Sequence, residues 1–295
     1  MAHLLGYRNM ASDFSYHSTW FRIIRPVTLT ASIMPVTAGT LIGSHLTGLN
    51  FSHFIVVLIT SVLIQAAVNM LNDYFDFMKG QEEGKWYAHS QYTSFLTPHY
   101  RQVPYVSAVL VFIVSILTLW LAANSSFWII PLGITGLVLG YCYSSGRRSL
   151  SSLGLGEVAA AISLGPLPVI IAMLVQGAGM DWMMLIYPLP FALLMATMVL
   201  TNNIRDIEKD WSTRRTIAIR IGRERAIILL AVLLILTYIS SLLVYSSMWV
   251  LLSLPAAVAL IHRFYKSEGH NPMELAALHH VAHSAVIISA IILMF

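Results

Sequence analysis

Apolar residues run along this chain in blocks of roughly twenty, the length that carries a helix across a bilayer, separated by short polar stretches. The pattern predicts about nine such spans, near 20–46, 53–78, 102–123, 127–145, 154–176, 182–204, 225–246, 248–264 and 275–294. Two spans end in a way that a membrane helix does not favour. The run Phe54 to Met70 passes into Asn72-Asp73-Tyr74-Phe75-Asp76, and the run Leu185 to Leu200 passes into Asn202-Asn203-Ile204-Arg205-Asp206-Ile207-Glu208-Lys209-Asp210. A helix C-terminus already carries partial negative charge, so carboxylates there need a cation. Spacings of three and four residues put the carboxylates of each cluster on one helix face.

Composition confirms the class. Of 295 residues, 57% are hydrophobic and 10% charged, and mean hydropathy is +0.74. That excludes a soluble domain of this length and points to a polytopic membrane protein. The single cysteine, Cys142, excludes an internal disulfide. Residues Met1 to Ser18 are polar and mixed and lack the plan of a signal peptide, so the first span is expected to insert itself. The connections near 47–52, 124–126, 177–181 and 247 hold no Lys or Arg, and all 17 basic residues fall on the opposite side. The positive-inside rule makes that side cytoplasmic, with the C-terminus outside. The expected architecture is all-α: a multi-pass bundle around a central cavity, in one domain over 1–295, with residues 1–19 as a cytoplasmic arm.

The two long cytoplasmic loops, Lys79 to Arg101 and Arg205 to Arg225, each follow an acidic cluster. Spans two and six are equivalent if the chain is two four-helix halves plus one helix, which sets the clusters facing each other across a pseudo-symmetric cavity. Asp73, Asp76, Asp206 and Asp210, with Glu82 from the loop, are candidate ligands for Mg2+, a hard cation that keeps waters and bridges to phosphate. Asn72, Lys79, Asn203, Arg205, Lys209 and Arg215 supply neutral or positive partners for phosphate oxygens, and Arg214 and Arg220 follow closely. Acids that simply pair with bases at a solvated membrane boundary are the plain alternative. A cation-coupled transporter is another, although it usually holds paired acids near mid-membrane. Nothing in the charge pattern points to nucleic acid.

The first cluster matches the Asn-Asp-x-x-Asp motif, and Asp206 with Asp210 the Asp-x-x-x-Asp motif, of the UbiA superfamily of intramembrane aromatic prenyltransferases. Within it the chain resembles the 1,4-dihydroxy-2-naphthoate polyprenyltransferases of menaquinone biosynthesis. Arg25-Pro26-Val27-Thr28-Leu29, Pro35 to Thr40, Gly156-Glu157, Gly165-Pro166 and Thr216 to Gly222 carry that likeness, in family order over about 20–222. The resemblance implies Mg2+ held by the two Asp sets, a polyprenyl diphosphate donor, an aromatic acceptor and an apolar cavity open sideways to the lipid bilayer. Dihydroxynaphthoate is the first acceptor; hydroxybenzoate or a specialised ring is the alternative. Tyr143 matches a family tyrosine, placed to orient diphosphate or to face the allylic cation; an interfacial belt aromatic is the other reading. Arg25 and Glu157 match family positions, and a cavity role is expected for Arg25. There are departures. Glu82 stands where the branch has Asp, Gly84 to Gln91 lacks a Gly-Pro-x-Arg element, and the Gly after Asp210 is missing. His279, His280 and His283 open the last span. Polar pairing is the expectation for them, with metal or haem ligation as the alternative.

Overall fold

The computed structural model describes residues 14–80, 85–88, 96–146, 149–212, 214–266 and 271–294. The main helices are α1 (Thr30–Thr47), α2 (Phe51–Met78), α3 (Gln102–Asn124), α4 (Ile129–Ser144), α5 (Gly156–Leu164), α6 (Pro166–Val175), α7 (Leu189–Arg205), α8 (Arg223–Tyr245), α9 (Leu254–Arg263) and α10 (Pro272–Met294). Among the described residues, 7 helical segments are long and apolar enough to cross a membrane. The fourth and eighth expected spans correspond to the shorter segments Ile129–Ser144 and Met248–Arg263. Sixteen residues of α-helix rise only about 24 Å, short of a hydrocarbon core of about 30 Å. The count of nine full crossings therefore does not follow from these helices.

Proline and glycine decide where spans break. The first span is not one helix from residue 20. A short helix, Trp20–Ile23, stops, Arg25 takes φ +54°, and a 3-10 turn, Pro26–Leu29, leads into α1. A residue before proline is held out of the right-handed helical region, so Arg25 is free to turn its side chain away from a continuous helix. The fifth span breaks at Gly165, and Pro166 opens α6 without needing an N–H. A Cβ on Gly165 would lie 2.6 Å from Ala192 Cα, so only glycine lets α7 approach this break. Gly43 does the same for α1 and α6: a Cβ there would lie 2.8 Å from Met173 Cα.

Residues facing outward are as apolar as those facing in. On α3, Tyr105, Val109, Phe112 and Ile116 recur at helical spacing and are all exposed. Such a face is stable in lipid, where water is absent. The chain is an integral membrane protein.

The three histidines sit in the bundle. His279 Nε2 lies 3.1 Å from Tyr238 Oη, which lies 2.8 Å from Ser253 Oγ. His283 bridges Ser253 at 2.8 Å through Nδ1 and Ser241 at 2.8 Å through Nε2. These bonds join α8, the turn Met248–Ser253 and α10, and they give His279 and His283 the polar pairing expected. His280 is buried with no hydrogen-bond partner among the described residues at either ring nitrogen, so the expectation does not hold for it. Changing His283 to Phe removes two interhelical bonds. It is expected to cost about 1–3 kcal/mol and to lower the unfolding midpoint in detergent by several degrees, with activity at low temperature retained.

One element lies outside the all-α expectation. Phe14–Tyr16 (β1) pairs antiparallel with Trp86–Ala88 (β2), Tyr16 opposite Trp86. Trp86 stacks on Phe77 of α2, with ring centres 5.1 Å apart, and meets Tyr16 edge-on at 5.2 Å. Phe14–Tyr16 and Trp86–Ala88 are thus packed over the end of α2.

Candidate functional site

Helix α2 carries Gln65, Asn69, Asn72, Asp73 and Asp76 along one turn-by-turn stripe. Asp73 is fully buried. Its Oδ1 accepts from the guanidinium of Arg25 and from Lys85 Nζ at 3.1 Å, and its Oδ2 from Tyr16 Oη at 3.0 Å. Arg25 reaches it because of its left-handed backbone, a conformation uncommon outside glycine and concentrated at functional sites. Asn69 Nδ2 donates to Ile24 O at 2.8 Å and Thr28 Oγ1 at 3.0 Å, anchoring that turn.

The two acidic motifs meet through one residue. Arg214 donates to Asp76 Oδ2 at 2.9 Å and stands 3.6 Å from Asp210 Oδ2. Burial alone would lower the Arg214 pKa; the two carboxylates outweigh it and raise it. Lys79 is turned from the acids to Ser144 O and Ser149 Oγ. Burial and Arg214 lower its pKa against the pull of Asp76.

The second motif does not lie on one helix face. Helix α7 ends at Arg205; Asp206 is its C-cap and a new turn, Ile207–Asp210, follows. The break separates three groups that even spacing would align. Asn203 faces inward and donates to Glu157 Oε1 at 2.7 Å. Asp206 pairs with its neighbour Arg205 at 2.7 Å, and Arg205 also donates to Asn202 Oδ1. Asp210 is buried, while Lys209 and Arg215 are exposed. Glu82 lies outside the described residues. Glu157 is partnered by Asn203, and Arg25 by Asp73.

A cavity of about 470 Å3 begins at this mouth. Arg25, Asn69, Asn72, Tyr143 and Asn202 line its polar end, and Leu121, Ile129 and Leu167 its apolar part. Leu119 and Ile134 both line it and are 58% and 55% exposed outside, so it opens sideways between α3 and α4. Asn202, Asn69 and Gln65 are lining residues absent from the sequence-based site. The signal for the last two was a polar residue at each turn of an apolar run. Tyr16 and Lys85 carried no such signal, because strand pairing brings them in from distant sequence.

The donor set suits Mg2+. Asp76 Oδ1 and Asn72 Oδ1 are buried oxygens with no hydrogen-bond partner in the structure. Unpaired buried oxygens are costly, and hard oxygen ligands are what this ion takes. Among the described residues no group of three or more His, Cys, Asp or Glu is close enough to form a protein-only cage.

Fold and site together define a membrane-embedded helical protein with a charged mouth at one end of an apolar chamber that opens sideways. Residues 32–281 match the UbiA prenyltransferase family, and the chain belongs to it. It is 30% identical over 258 residues to the 1,4-dihydroxy-2-naphthoate octaprenyltransferase of Bacillus subtilis, covering 84% of this chain and 82% of that one. It is also 30% identical over 283 residues to the UbiA prenyltransferase domain-containing protein 1 homolog of Drosophila melanogaster, covering 88% and 75%. A UbiA homolog from Archaeoglobus fulgidus, solved with GPP and Mg2+, superposes with a TM-score of 0.60 at 17% identity, covering 92% of this chain and 100% of that one. An apo homolog from Aeropyrum pernix K1 gives 0.63 at 13%, covering 90% and 97%. The protein is a prenyltransferase, which sets aside the transporter reading.

Proposed function

We propose that this protein transfers a polyprenyl group from its diphosphate to 1,4-dihydroxy-2-naphthoate, a step of menaquinone synthesis, as one domain in a bacterial cell membrane with its mouth on the cytoplasmic side. The observation that carries this reading is the joining of Asp76 and Asp210 by Arg214 beside a lipid-open apolar cavity. The B. subtilis relative's name supports the acceptor. The one-sided placement of the 17 basic residues supports the orientation.

Asp73, Asp76, Asp206 and Asp210 would hold Mg2+, with Asn72 completing the oxygen set and Glu82 a further candidate. Bound there, Mg2+ would neutralise charge on the diphosphate and make it a better leaving group. Arg25, at the polar end of the cavity, would bind phosphate oxygens, with Arg205, Lys209, Arg215 and Lys79 adding positive potential around them. Asn203 serves from behind, by holding Glu157. The C1–O bond breaks, the electron pair leaves with diphosphate, and the allylic cation remains in the chamber. Tyr143 presents a ring to it. The apolar wall excludes water, which would otherwise capture the cation. An electron-rich ring carbon of the acceptor attacks the cation; the bond from that carbon to the carboxylate then breaks, CO2 leaves, and the bonding pair restores the aromatic ring.

The test is purified protein in detergent with Mg2+, a polyprenyl diphosphate and a panel of aromatic acids, with products identified by mass. A prenylated, decarboxylated naphthoate supports the reading. Product only from hydroxybenzoate would replace the acceptor and leave the class standing. Chain length has its own probe. A Cβ on Gly136 would meet Leu167 Cδ1 at 3.7 Å, an ordinary contact, so the site accepts a side chain. Gly136→Phe should block the inner cavity and favour geranyl over long donors by about tenfold or more in relative kcat/KM.

A further inference from the structure

Asp73 has more positive charge on it than neutrality requires. Arg25 and Lys85 both donate to Oδ1, and Tyr16 Oη occupies Oδ2. A fully buried carboxylate needs one strong cationic partner; a second ammonium on the same oxygen adds little, because the two cations repel. The two are held differently. Arg25 is set by its left-handed backbone and the proline after it. Lys85 has a fixed backbone and a movable head. Its carbonyl accepts from His17 N at 2.8 Å, and the next residue, Trp86, is wedged against Phe77 and Tyr16. Its side chain is 27% exposed, and an ammonium on a four-carbon stem swings through several ångströms without moving the backbone.

We propose that Lys85 is an exchangeable cation. It rests on Asp73 beside Arg25 while no diphosphate is present. When the divalent ion takes the carboxylate and diphosphate enters, Lys85 moves to a phosphate oxygen, and the β1–β2 ribbon keeps its backbone in reach of both. Tyr16 is a positioning residue that holds the carboxylate plane during the exchange. This rests on the diphosphate reading given above. It makes Lys85 compete with metal and cooperate with diphosphate, two effects of opposite sign from one side chain.

The experiment uses the full chain in detergent with Mn2+ as the metal probe, followed by electron paramagnetic resonance, and inorganic pyrophosphate titrated calorimetrically into the Mn2+-loaded protein. Lys85→Gln should bind Mn2+ about three- to fivefold more tightly without pyrophosphate, and bind pyrophosphate about three- to fivefold more weakly, the upper part of the range for a partly exposed ion pair. Arg22→Gln removes an equal charge from an exposed site nearby and should change neither by more than about twofold. Lys85→Arg should restore pyrophosphate binding. If Lys85→Gln leaves either affinity unchanged, or Arg22→Gln reproduces both shifts, the exchange is wrong. Asp73→Asn separates the underlying reading. If that variant keeps wild-type Mn2+ affinity, the metal role of Asp73 falls and the exchange with it. If it loses Mn2+ while Lys85→Gln shows no gain, only the exchange falls.

Discussion

Changing Asp73 to Asn is expected to lower prenyl transfer by about a thousandfold, the upper range for loss of one charge-stabilising group in an active site. The substitution keeps size and shape, so the cavity walls stay in place. It leaves the oxygen that faces Arg25 and Lys85 without its charge. Both effects act on rate: the proposed metal ligand is weakened, and two cations lose the partner that oriented them. The stability cost is smaller. The Arg25 side chain is 38% exposed and Lys85 27%, so water partly solvates them, and about 1 kcal/mol is expected. Steady-state rates and a thermal unfolding scan separate the two quantities. Retention of a tenth of wild-type activity in a folded variant would remove Asp73 from the reaction.

Arg214→Met should lower kcat/KM by about a hundredfold or more. Arg214 is the group that holds Asp76 and Asp210 together. Its planar fork reaches both carboxylates through different nitrogens, which a lysine cannot reproduce, so Arg214→Lys should recover little. Stability gives an independent reading. Without Arg214 two buried carboxylates lose the cation they share, which is unfavourable. Mg2+ would supply the missing charge. The variant should therefore unfold well below wild type in a chelator and recover much of the gap when Mg2+ is restored. A gap of equal size in both conditions would argue that the acids do not share an ion.

The acidic motifs were legible because they break a strong local rule: charge at the end of an apolar helix needs a reason. The family resemblance, not that rule, singled out Arg25 and Tyr143, and both line the cavity. The geometry around Asp206 was not legible. Even spacing of Asn203, Asp206 and Asp210 implies a continuous helix, and the chain breaks at Asp206. Asn203 consequently turns to Glu157. Arg214 stood out only as one of several bases, since its partner Asp76 is 138 residues away.

Apolar block length and charge placement alone determined that this chain is a helical membrane protein with paired acidic sites on one side, because burial in lipid allows few other uses of such a composition. Tertiary structure alone decided which cations meet which acids, where α1 and α6 close in, and that a strand pair brings Tyr16 and Lys85 to Asp73. Those outcomes depend on contacts between residues far apart in the chain. Local propensity and periodicity carry no information about such partners until the bundle has folded.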